Sequence, residues 1–247
     1  VPEDGGSGGG LTTPKKAENQ PKPTLLDRLA TYRRTRTARG ATLEELELLY
    51  ELKRYERDPK TMLAPPELKA VHPLGKSPVI TDGDLTLAES AAILEYLLER
   101  YANGRLMPAQ GSADYRRFRY WMHYAEGSAM PPLLLKLVFD RVASGPMPFF
   151  IKPVARAIAN GAHKAFIGPQ LKTHLDYMEA ELEKSPWFAG DSFSAADIQM
   201  SFPLEAARSR AGLDQSRPRL LDFLERIQQR PAYQRAVERG GPALPTA

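Results

Sequence analysis

The sequence predicts an α+β protein in two parts, a mixed α/β N-terminal part followed by an all-helical C-terminal part. Three observations carry this. Strand, hairpin and helix signals crowd into residues 43–102. Residues 103–112, opening on Asn103-Gly104, read as a linker. Beyond them the apolar spacing is helical, proline or glycine marks most breaks, and no convincing strand is found.

Residues 1–24 read as a disordered tail, because Gly5-Gly6-Ser7-Gly8-Gly9-Gly10 is a flexible tract and Pro14, Pro21 and Pro23 sit among polar residues. Residues 25–42 read as an atypical basic segment, with a short apolar start and then an arginine- and threonine-rich stretch unlike a buried strand. From Leu43 the character changes. Leu43, Leu46 and Leu49 have helical spacing. Tyr50 to Tyr55 alternates as a half-exposed strand does. Pro65-Pro66 opens a helix. Val79-Ile80 and Leu85-Thr86-Leu87 flank Asp82-Gly83-Asp84, a hairpin turn. Ile93, Leu94, Leu97 and Leu98 then share one face of a helix. In the second part, helices are expected over residues 113–129, 148–165, 168–184, 194–212, 217–229 and 231–239. The expected domains are therefore 43–102 and 113–242.

Composition narrows the chemistry. With 247 residues, 42% of them hydrophobic, the chain can bury a real core. There is no cysteine, which excludes disulfides, thiolate metal sites and a cysteine nucleophile. His72, His123, His163 and His174 lack metal-ligand spacing, so no metal is expected. The net charge is +4, but eight of 34 basic and four of 30 acidic residues fall in residues 1–42, leaving 26 of each sign in the rest. The basicity belongs to an arm on a neutral body, so no nucleic-acid partner is expected. The longest apolar run, around Leu133 to Phe139, is short and contains Lys136, and no secretory signal is visible, so no membrane partner is expected.

Three motifs carry candidate chemistry. In His72 to Ile80, Ser77-Pro78 opens a strand, where proline donates no ladder bond. A cis peptide there would turn the Ser77 backbone outward toward a peptide-like ligand. A trans proline on an edge strand is the plainer alternative. In Leu87 to Leu97, Glu89 and Ser90 start a helix directly after a strand, a place for an anion, with the Glu able to hold an ammonium. Ordinary helix capping explains the pair equally. In Phe193 to Ser201, Ser194 and Asp197 have capping-box spacing, a folding signal rather than a site. Pro203 should bend the helix that follows.

Taken in order, these motifs resemble the cytosolic glutathione S-transferases, and most closely a bacterial and fungal subgroup. The matching stretches are Gly75 to Ile80, Leu87 to Ser90 and Ser194 to Asp197. Tyr50 to Met62, Tyr120 to Leu134, Ser185 to Ser194 and Arg230 to Pro242 add to them, so the likeness runs over residues 43–242. The resemblance implies a thioredoxin-like glutathione-binding domain, a helical domain and a cytoplasmic homodimer acting in detoxification. It implies glutathione as co-substrate and a small electrophile as the second substrate. Pro78 would be the cis-proline, Ser77 the backbone clamp on the cysteinyl part, Glu89 and Ser90 the holders of the γ-glutamyl end, and Lys76 the partner of the glycine carboxylate. Tyr120, Trp121 and Tyr124 are candidates for the electrophile site, although aromatics at helical spacing also suit a core or a dimer interface.

The family's first strand and the turn after it should lie just before Leu43, and that turn supplies the Ser, Tyr or Cys that acts on the glutathione thiol. Here the strand is missing or unrecognisable, and no serine occurs between Ser7 and Ser77. Tyr32 and Thr35 are the candidate hydroxyls. Three readings of residues 1–42 stand side by side: a natural extension with an altered first strand, a transit peptide, or a segment read from a wrong exon boundary or slipped frame. The abrupt change at Leu43 favours the third. The functional expectation is a glutathione transferase. The alternative is a catalytically impaired glutathione-binding or regulatory protein on the same fold.

Overall fold

The computed structural model describes residues 25–32, 37–56, 58, 61 and 63–241, of which 25–32 and 37–39 are described by their backbone alone. The expected tail, residues 1–24, lies outside them. The first part of the chain builds a four-stranded sheet in the order β2-β1-β3-β4. Its elements run β1 (Leu25–Tyr32), α1 (Thr37–Glu45), β2 (Leu49–Tyr55), α2 (Pro66–Val71), β3 (Val79–Asp82), β4 (Leu85–Ala88) and α3 (Ser90–Tyr101). β1 runs parallel to β2 and antiparallel to β3, and β3 pairs with β4. Gly83, with φ 57°, makes the two-residue turn of the β3–β4 hairpin, a left-handed position that glycine takes without steric cost.

β1 corrects the expectation that no first strand precedes Leu43. The sheet is built on residues 25–32, and the domain begins there instead of at residue 43. The physical reason for the miss is visible in the register: pairing with β2 shifts between Leu26 and Leu29, so Asp27 and Arg28 interrupt the two-residue alternation by which a strand is recognised. α1 also starts six residues before Leu43 and ends at Glu45, where Glu47, with φ 56°, turns the chain toward β2.

The second part is helical, as expected: α4 (Ala113–Tyr124), α5 (Met130–Ser144), α6 (Lys152–Ala162), α7 (Gly168–Lys184), α8 (Ala195–Arg210), α9 (Pro218–Gln229) and α10 (Pro231–Gly240). α5 lies in the gap left after residue 129, because Pro131-Pro132 reads as a helix break. A π-turn over Ala125–Ala129 joins α4 to α5 without interruption. Met130 N–H reaches back to Ala125 O, five residues away, just before the prolines whose missing donors an unbroken α pattern would need. A second π-turn, His163–Ile167, joins α6 to α7 immediately ahead of Pro169. α6 itself starts at Lys152, four residues after the expected position.

The main core spans both parts: Leu43, Ile93, Leu94 and Leu97 below meet Phe118, Trp121, Met200 and Phe223 above. Tyr55, Leu68 and Val79 form a smaller core where α2 covers the other side of the sheet. α1 packs closely on α10, and a side chain at Gly40 would meet Ala236 Cβ at 3.2 Å. At the start of α8 the capping box is present. Ser194 N–H donates to Asp197 Oδ2 at 2.8 Å, and Asp197 Oδ1 accepts from Phe188 N–H at 2.9 Å. Among the described residues no helix is long and apolar enough to cross a membrane.

Candidate active site

The sheet register brings three chain segments to one end. β3 pairs with β1 through Thr81–Arg28, Ile80–Leu29 and Val79–Ala30. The pairing stops there, so the Ser77–Pro78 turn enters β3 at the end of the sheet where β1 finishes with Tyr32. On its other side β3 pairs Val79 with Ala88, so Pro78 and Glu89 leave the sheet together. The Ser77–Pro78 peptide is cis. Pro78 is buried and Lys76 is exposed.

Glu89 holds φ 73° and ψ 129°, a left-handed backbone unusual for a residue with a side chain. Such a conformation costs on the order of 1–3 kcal/mol and collects at functional sites. It turns the chain from β4 straight into α3, whose first residue is Ser90. The start of a helix presents backbone N–H groups and the positive end of its dipole, a setting that favours negative charge. Ser90 is buried, and its Oγ donates to Glu126 Oε1 at 3.1 Å. Glu126 lies in the first π-turn of the helical part.

Lys76, Ser77, Pro78, Glu89 and Ser90 line one cleft together with Leu74, Glu126 and Phe202. The lining thus holds a lysine, and two glutamates beside a helix start. That distribution suits an extended molecule with a free carboxylate, a peptide backbone and an amino-acid head group. Glu126 lies within the Tyr120–Leu134 stretch and Phe202 just past Phe193–Ser201, but neither is read there as a site residue; each reaches the cleft only through the packing of the helical part over the sheet. A π-turn inside a helix often marks a functional position, yet no sequence signal beyond the nearby prolines foretells it.

The three aromatic candidates separate. Trp121 is 1% exposed and packs in the core, its ring 4.5 Å from Phe188 and stacked on Tyr177 at 5.5 Å between centroids. The structure therefore places it away from any ligand surface. Tyr120, 47% exposed, and Tyr124 line a different depression with Arg116, Arg119 and His123. Tyr124 OH lies 2.5 Å from His174 Nδ1, and burial pushes the Tyr124 hydroxyl up and His174 down from their ordinary pKa values. None of the three lines the cleft of Ser77 and Ser90. Tyr32 ends β1 opposite Tyr55, and Thr35 lies outside the described residues. Among the described residues no cluster of three or more His, Asp or Glu is arranged to hold a metal.

A thioredoxin-like sheet with a helical second part, and a peptide-sized polar cleft between them, defines a class of two-domain proteins. Comparison with known proteins gives the family. The family model described as "Glutathione S-transferase, N-terminal domain" matches residues 31–99, and that described as "Glutathione S-transferase, C-terminal domain" matches residues 161–226. Glutathione S-transferase 3 of Schizosaccharomyces pombe is 34% identical over 197 residues, covering 80% of this chain and 80% of that protein. Glutathione S-transferase 1 of Saccharomyces cerevisiae is 33% identical over 205 residues, covering 80% and 87%. A solved glutathione S-transferase from Actinobacillus pleuropneumoniae is 33% identical and superposes with a TM-score of 0.72 over 87% of this chain and 94% of that one. The chain belongs to the glutathione S-transferase family.

Proposed function

We propose that this protein conjugates the glutathione thiolate to small electrophiles. The observation that supports the reading best is the meeting of two separate sequence motifs, one holding Ser77-Pro78 and one holding Glu89-Ser90, on a single cleft lined by a lysine and two glutamates. Ser77 offers its backbone to the cysteinyl part of glutathione, as an added strand is held. Glu89 and Ser90 hold the γ-glutamyl end, and Lys76 meets the glycine carboxylate. A free thiol has a pKa of about 8.5, so a hydrogen-bond donor to the sulfur is needed to raise the thiolate fraction. Tyr32, at the same end of the sheet as Ser77, is the candidate, with Thr35 as the second. The thiol proton passes to solvent. The sulfur then bonds the electrophilic carbon, and the leaving group departs with its electron pair. Holding both reactants together supplies much of the acceleration.

The named relatives are all called glutathione S-transferases, which weighs against the regulatory alternative. A homodimer is part of the proposal. Exposed Arg119 on α4 shares one depression with Glu95 and Glu99 of α3 and a second with exposed Arg116, so a two-fold axis could set the arginines of one copy against the acids of the other. Cytoplasmic detoxification completes the reading, since the cytosol is where glutathione keeps thiols reduced. Calorimetric titration of the whole chain with glutathione, followed by a conjugation assay with a generic aryl halide, tests it. Binding with turnover supports the proposal. Binding without turnover returns the regulatory alternative, and no binding removes the assigned site.

A further inference from the structure

The turn between α5 and α6 leaves large apolar side chains in solvent. Phe149 is 85% exposed and Phe150 66%, their rings edge to face at 5.6 Å. Ile151, Val154 and Ile158 continue the surface along α6, spaced by three and four residues so that they share one side of the helix. Ala155 and Ala159 are the buried residues of α6, so the packed side of this helix is small and its large apolar side is open. None of these residues lines the cleft of Ser77 and Ser90.

Charge singles out the same stretch. Between Asp140 and Asp176 the sequence holds Arg141, Lys152, Arg156, Lys164 and Lys172 and no acidic residue, whereas the rest of the body beyond residue 42 has more acidic than basic residues. Lys172 pairs with Asp176, while Arg141, Lys152, Arg156 and Lys164 make no ion pair among the described residues. Exposed aromatics and aliphatics with unopposed cations around them are the composition of a helix that lies in a bilayer interface, its apolar side among acyl chains and its cations among anionic head groups.

We propose that the α5–α6 turn and α6 form a peripheral docking surface for an anionic lipid bilayer. A second copy of the same face is a poor occupant, because self-pairing would bring an acid-free cationic stretch against its own like charge. The expectation of no membrane partner rested on the lack of a spanning run, and a helix lying along a bilayer needs none.

The test is co-sedimentation of the full chain with vesicles of phosphatidylcholine and phosphatidylserine in equal parts, against vesicles of phosphatidylcholine alone. Binding to the anionic vesicles, weakened by added salt, is expected. Lys152→Glu with Arg156→Glu should lower the partition coefficient by roughly 10-fold or more. Phe149→Ser with Phe150→Ser should do so by a similar factor. Both variants should keep the wild-type affinity for glutathione, because these residues lie outside the cleft. Equal binding to both vesicle types overturns the proposal. So does unchanged binding of both variants, which would assign the contact to the basic arm. A fall in the wild-type sedimentation mass on Phe149 and Phe150 replacement, without vesicles, would make the face an interface between copies and also overturn it.

Discussion

Glu44 and Arg239 face each other across the junction of the two domains, Arg239 Nη1 donating to Glu44 Oε1 at 2.9 Å. The same carboxylate accepts from Arg235 Nε at 2.9 Å and from Tyr50 OH at 2.8 Å. The Arg239 guanidinium lies over the Tyr50 ring, 4.1 Å from its centroid, and also donates to Tyr50 O. One residue later, Glu45 takes both Nε and Nη2 of Arg230, at 2.6 and 3.0 Å. α10 and the residue before it are thus fastened to α1 and β2, the helix and strand that follow β1.

Replacing Glu44 is therefore expected to loosen the junction. Burial pushes the Glu44 carboxyl up, but the hydrogen bonds from Arg239, Arg235 and Tyr50 outweigh it and hold its pKa below the ordinary value. The arginines are half exposed, which discounts the pairing, so Glu44→Gln should cost about 2 kcal/mol at neutral pH. A depressed carboxylate contributes stability above its unfolded-state pKa, about 4.3, and loses it as pH falls through the folded value. Urea melts of wild type and variant should converge in acid. A gap of constant size at all pH would show that the lost contribution is packing and not charge.

These contacts also mark how far the sequence could be read. The hairpin, α3, the capping box at Ser194 and the final helices follow from local rules, each with its own turn, cap or apolar stripe. β1 does not, because Asp27 and Arg28 sit at a register shift that only the neighbouring strands explain. α5 does not, because Pro131-Pro132 after a helical pattern reads as a break, whereas here the prolines fall in the first turn of α5 and a π-turn carries the chain into it from α4. In the cleft, Ser77, Pro78, Glu89 and Ser90 were legible as motifs. Glu126 was not, since its place depends on how the π-turn of the helical part meets the start of α3.

Ser90 offers a direct test of the cleft. Its buried hydroxyl touches Glu126, and both would meet the amino-acid head of glutathione. Ser90→Ala removes one hydrogen bond to a charged group, worth about 1.5 kcal/mol, so the Kd for glutathione should rise by roughly 10-fold. Calorimetry reads this directly, and the melting temperature should change little because the helix start keeps its backbone bonds. Unaltered affinity would remove Ser90 from the binding residues.

Trp121 and Tyr120, adjacent in sequence, should respond in opposite ways. Trp121→Ala opens a cavity among Phe188, Tyr177 and Tyr124 and should cost about 3–5 kcal/mol of stability. Tyr120→Ala, at a half-exposed position, should cost about 1 kcal/mol or less. Denaturant titration of the two variants separates them. Equal losses would mean that Tyr120 is buried in solution, as an interface between copies would make it.

Glu205 gives the stability of this fold a second pH dependence, opposite in sign to that of Glu44. It lies in α8, and burial pushes its carboxyl up to about 7, against the opposing pull of the Tyr233 hydroxyl and Arg208. Tyr233 OH, from α10, donates to Glu205 Oε1 at 2.7 Å. A carboxyl whose folded pKa exceeds its unfolded value is most stabilising while protonated. Its contribution is complete below about pH 4.3 and is lost as pH rises through about 7. Wild type should therefore lose stability relative to Glu205→Gln between about pH 5 and about pH 8, because Gln keeps the acceptor for Tyr233 and cannot ionise. Thermal melts of both proteins across that range measure the difference. Parallel curves would show that Glu205 is charged throughout, and that water or Arg208 reaches it in the folded protein.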